Sequence, residues 1–74
     1  MRMFCPLKIR ERRQRIGMTQ EQLALHADIS RTHMGAVEHG KAMPTAGIVA
    51  KLAYALRVKE TYFFADTVSY KEQL

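Results

Sequence analysis

The chain has 74 residues, a formal net charge of +5 and one cysteine, Cys5. That length holds one domain with a small core, and the single thiol excludes a disulfide within the chain and fits a reducing cytosol. No apolar run is long enough to span a bilayer, and the stretch before Lys8 is too short for a secretory signal. A cytoplasmic protein with no membrane partner is therefore expected, and its charge favours a polyanionic one.

Residues 7–16 are expected to form the first helix, with Pro6 just before or at its first turn and Gly17 as a left-handed stop. Its buried side is thin: Ile9 and Ile16 lie two turns apart, with Arg13 between them. Cys5 has no nearby His and is expected to be a tail residue, not a catalytic thiol. Thr19 caps a second helix and forms a capping-box pattern with Gln22, and Leu23, Ala24 and Ala27 make its apolar face. Asp28 and Ile29 make a short turn. Ser30 caps a third helix that runs to about His39 and ends at Gly40, with Met34 and Val37 facing inward.

A loop through Lys41 and Pro44 reaches Thr45, the cap of a fourth helix. Its buried stripe is Ile48, Val49, Leu52, Ala53 and Leu56. A short fifth helix is expected over 59–64. After Asp66 the tail reads either as a helical turn or two or as frayed chain. Val, Ile and Thr gather into no alternating runs, so strands are not expected. The expectation is an all-α domain over 1–74, with its core over about 7–65, an N-terminal arm of 1–6 and a tail of 66–74.

Two short helices joined by so few residues must cross steeply, as in a helix-turn-helix over 19–40. The solvent side of the third helix then shows Arg31, Thr32 and His33 at its start, with Ala36 one turn on. Arg can pair bidentately with guanine, and a Thr methyl can meet a thymine methyl.

Three segments carry a resemblance: Thr19-Gln20-Glu21-Gln22-Leu23-Ala24, Ile29-Ser30-Arg31-Thr32 and Val37-Glu38-His39-Gly40. With Leu52-Ala53-Tyr54-Ala55-Leu56-Arg57-Val58 and Tyr62-Phe63-Phe64 behind them, the chain resembles the phage repressor/Cro-type (XRE-like) helix-turn-helix family. Within it, Arg31-Thr32-His33-Met34-Gly35 is similar to controller proteins of restriction-modification systems. The resemblance implies a five-helix, lambda-repressor-like DNA-binding domain without cofactor. It would act as a homodimeric transcriptional regulator, repressor or activator, on an inverted repeat of double-stranded DNA. It further implies that Arg31, Thr32, His33 and Ala36 reach the major groove. Gln20 and Ser30 would lie at the DNA backbone, with Gln20 also buttressing the third helix, and Lys41, Thr45 and Arg10 would hold phosphates. Arg13 and Glu38 match an internal salt bridge. Tyr62, Phe63 and Phe64 would supply a dimer contact, although at least one of them should fill the core. In an activator Glu21 would be the residue placed to touch RNA polymerase.

Four positions depart from the family pattern: Arg12 for an apolar residue, Asp28 for a turn glycine, Arg57 for Gly or Asn, and His33 for an aromatic. Gly35 inside a helix has either a packing or a phosphate-approach reason. The basic run Lys8, Arg10, Arg12, Arg13 and Arg15 also reads as a solvated helix face. The methionines read as core filler. His26, His33 and His39 are spaced by seven and six residues, unlike paired helical metal ligands, so no metal is expected. The chain has no paired carboxylates, nucleophile-base set or phosphate-cradling glycine loop, which argues against an enzyme. An antitoxin-type interaction module that also binds DNA is the alternative function.

Overall fold

The computed structural model describes residues 2–66. Strand β1 (Arg2–Phe4) leads into helix α1 (Pro6–Arg15), followed by α2 (Gln20–Ala27), α3 (Arg31–Glu38) and α4 (Ala46–Leu56). A 3-10 turn (Glu60–Phe63) then runs into strand β2 (Phe64–Asp66). The possible helical turns after Asp66 lie outside the described residues.

Three helices begin on the side-chain caps expected of them. The Thr19 hydroxyl accepts from the Gln22 N–H at 3.1 Å while the Gln22 side chain accepts from the Thr19 N–H at 2.8 Å, a complete capping box. Ser30 accepts from the His33 N–H at 3.0 Å, and Thr45 from the Ile48 N–H at 3.2 Å. Helices α2 and α4 end alike. Asp28 and Arg57 both sit at φ 59°, and in each case the next amide reaches back five residues, Ile29 to Ala24 and Val58 to Ala53, both at 3.0 Å. This closure needs a left-handed residue, which is why glycine is usual there. Gly17 and Gly40, at φ 74° and 75°, turn the chain after α1 and α3.

The core is one cluster. Ile9, Leu23, Met34, Val37, Leu52, Leu56 and Phe63 are fully buried, so each helix contributes to it. Ile48 is only half-buried against it, and Ile16 is exposed. Met34 fills the core and Met18 packs at its margin, but Met3 and Met43 are exposed and are not filler.

The two ends of the described chain correct the expected all-helical reading. β1 and β2 pair antiparallel, with Arg2 opposite Asp66 and Phe4 opposite Phe64. Residues 2–4 are thus strand and not a loose arm, and Pro6 is already helical. The expected fifth helix is a single 3-10 turn, because Phe63 drops into the core and the chain extends directly after it. Cys5 is likewise no tail residue: it is half-buried, and its N–H donates to the Phe63 carbonyl at 2.7 Å. Phe4 stacks edge-on to Phe64 at a centroid distance of 5.6 Å, which gives this short sheet an apolar anchor.

Arg12 resolves the missing apolar position in α1. Its Nε donates to the Leu56 carbonyl at 2.9 Å, so the guanidinium satisfies the open C-terminal end of α4. Arg57, one residue on, holds the left-handed conformation at a steric cost of about 1 kcal/mol. Arg57→Gly is therefore expected to raise stability by about 0.5–1 kcal/mol. Thermal unfolding followed by circular dichroism checks this, and an unchanged or lower Tm would contradict the strain.

Candidate nucleic-acid interface

The residues expected to face DNA stand on a frame made by one buried carboxylate. Glu38, near the end of α3, has a side chain only 1% exposed. Arg13 of α1 grips it with two bonds, Nε to Oε2 at 2.7 Å and Nη2 to Oε1 at 3.1 Å. Gln20, the first residue of α2, donates from Nε2 to the same Oε1 at 3.1 Å. Arg13 also donates from Nη1 to the Met18 carbonyl at 3.0 Å, which pins the loop that delivers α2. Three helices and a loop thus meet on one charge. The bidentate fork and the third donor supply the compensation a buried ion needs.

This frame decides how α3 is presented. Met34, Val37 and Glu38 form its buried side. At 3.6 residues per turn, Thr32 and Ala36 then share the outward line. Arg31 and Gly35 share the flank toward α2, and His33 lies on the opposite flank. Arg31, Thr32 and His33 are exposed, and Ala36 is half-exposed. Arg31 borders a shallow hollow with Glu21, Gln22, Leu25 and Ile29, so it leaves α3 on the α2 side. The one carboxylate of α3 is neutralised by Arg13, which leaves the exposed charge of this helix positive.

The other expected residues are distributed around it. Ser30 and Thr45 are exposed, and each hydroxyl accepts from its own helix while its proton remains available to an acceptor outside. Lys41 is exposed, and its backbone N–H, bonded to the Ala36 carbonyl at 2.8 Å, ties it to the end of α3. Arg10 is exposed on α1, one turn before Arg13 on the same flank. Gln20 is half-buried with one amide proton spent on Glu38, so its buttressing of α3 has a concrete form.

Two polar contacts here have no signal in the sequence. Gln20 as third partner of Glu38 is one. The other is His39, whose Nδ1 lies 2.7 Å from the Gly35 carbonyl at the end of α3. Gly35 itself is not required by packing. A Cβ there would meet only the Gln20 amide, at 3.8 Å from Oε1, an ordinary contact. Of the three aromatics expected at a dimer contact, Phe63 is fully buried in the core and has no surface to offer, while Tyr62 and Phe64 are half-buried.

Comparison with known proteins agrees with this geometry. The sequence profile described as helix-turn-helix matches residues 9–63. The structure is similar to the restriction-modification controller protein C.AhdI from Aeromonas hydrophila, with 31% identity and a TM-score of 0.75, covering 78% of this chain and 88% of that one. It is also similar in fold to the DNA-binding domain of the P22 C2 repressor, at 21% identity and a TM-score of 0.77, covering 82% and 80% of the two chains. Comparison with curated protein sequences gives no match.

Two substitutions test the frame. Glu38→Ala strands the Arg13 guanidinium and is expected to cost about 3 kcal/mol or more in urea unfolding; a loss below about 1 kcal/mol would mean that the cluster is not structural. Gly35→Ala is expected to raise stability by about 0.5–1 kcal/mol, and a fall in the urea midpoint would restore a packing reason for the glycine.

Proposed function

The chain belongs to the phage repressor/Cro-type helix-turn-helix family, and from that membership we propose that it is a DNA-binding transcriptional regulator acting as a homodimer on an inverted repeat. The observation that carries this reading is the exposed N-terminal turn of α3, with Arg31, Thr32 and His33 held outward by the buried cluster around Glu38. Each copy would insert α3 into a major groove, with half-sites about 34 Å apart. Arg31 and His33 would read base edges on the two flanks of α3, and Thr32 and Ala36 would lie closest to the groove floor. Ser30, Gln20, Lys41, Thr45 and Arg10 would hold phosphates and set the register. The likeness to C.AhdI supports a role as a restriction-modification controller.

An apolar surface supports the dimer. Phe4, Met43, Pro44, Val49 and Phe64 line a hollow of about 270 Å³, and Met43 is 76% exposed at its edge. A second copy is the occupant this reading assigns to it, with Tyr62 and Phe64 as contacts and Phe63 as their buried support. In an activator Glu21 is the acidic residue open to polymerase, since Glu38 is enclosed.

Selection from random duplexes, followed by footprinting of the winner, tests the proposal. The expected result is one inverted repeat with two protected half-sites. Arg31→Ala should weaken that duplex about tenfold and relax one position in each half-site. Lys41→Ala should weaken all duplexes alike and flatten the salt dependence by about one unit of slope. If no duplex binds even about tenfold better than random DNA, the reading fails.

A further inference from the structure

A concavity among the described residues lies away from the helix that would meet DNA. A cleft of about 630 Å³ opens between the C-terminal ends of α1 and α4 and the flank of α2, and no residue of α3 lines it. Its volume falls in the range of small-molecule sites. Arg12, His26 and Arg57 supply its polar groups, while Ile16, Met18 and Tyr54 supply apolar wall. Among the described residues, no carboxylate lines it. Tyr54 is 88% exposed, so its ring stands almost bare at the rim.

The two arginines are held in different ways. Arg12 is anchored through Nε to the Leu56 carbonyl, which fixes the plane of its guanidinium and leaves both terminal nitrogens without a partner among the described residues. Arg57 projects from a left-handed backbone that glycine would adopt without strain, and among the described residues its side chain makes no hydrogen bond or ion pair. A strained non-glycine residue at the rim of a cleft is the kind of outlier that points from structure to function. Two guanidinium forks with open donors match the oxygens of a phosphate or carboxylate. The bare phenol ring and the Ile16 and Met18 side chains fit a flat apolar body behind that anionic head.

We propose that this cleft binds a small aromatic anion, a ring bearing one phosphate or carboxylate group, with its head between Arg12 and Arg57 and its ring against Tyr54. Because α3 contributes nothing to the cleft, the ligand and DNA occupy separate surfaces.

Phenyl phosphate, benzoate and inorganic phosphate are the probes, titrated at constant ionic strength into the isotope-labelled full chain and followed by the amide signals of residues 12–18 and 54–58. The expected result is saturable shifts there with phenyl phosphate or benzoate, and at least about fivefold weaker binding of inorganic phosphate. Arg57→Gly removes the fork while relieving the backbone, so it remains folded and should lose at least about fivefold in affinity for phenyl phosphate. Tyr54→Ala should weaken phenyl phosphate and leave inorganic phosphate unchanged. Shifts confined to α3, equal binding of phenyl phosphate and inorganic phosphate, or full affinity in Arg57→Gly would each overturn the assignment.

Discussion

The fold turns on a buried carboxylate that three elements share. Glu38 cannot be enclosed unless Arg13 reaches it from α1 and Gln20 from α2, so its burial is possible in only one arrangement of the three helices. Apolar packing through Leu23, Met34 and Val37 supplies most of the attraction but tolerates sliding. The ion cluster does not, because a small displacement breaks bonds near 3 Å. The register of α3 against α2, and with it the direction in which Arg31, Thr32 and His33 face, is set by polar geometry laid over a permissive core.

The twelve Lys and Arg residues are a division of labour more than a uniform positive coat. Arg13 is internal and neutralised. Arg12 gives its Nε to a helix end and keeps its terminal nitrogens open. Lys8 lies over the Tyr62 ring at 5.5 Å. Arg31 and Lys41 remain exposed around α3, and Arg57 joins Arg12 at the cleft between α1 and α4. The formal net charge of +5 gives the sign of the long-range field but not the number of charges that would touch a phosphate.

What could be read in the sequence was local. Thr19, Ser30 and Thr45 announced their helices because a cap and its amide lie three residues apart, whereas Asp28 and Arg57 stood out only against the glycine or asparagine of the family pattern. The Arg13–Glu38 pair came through family resemblance, since nothing in a sequence of basic residues singles out one of them for burial. The β1–β2 pairing was not legible: strands of three residues have no detectable alternation, and the partners stand at opposite ends of the described chain. The same blindness merged Tyr62, Phe63 and Phe64 into one surface feature. Only the drop of Phe63 into the core separates them. At the DNA-facing set the residue types were legible, but the sharing of Gln20 with Glu38 was not, because it depends on two helices being already in place.

The sheet has a consequence for the order in which the chain takes shape. β1 is made before the helices and β2 after them, whereas the capped helices between them rest largely on nearby contacts. Phe4 therefore waits uncovered until all four helices have been made, and the strand pair closes onto helices that have already assembled. A change that weakens the strand pair would act on this closing step while leaving α2 and α3 to form at their own pace.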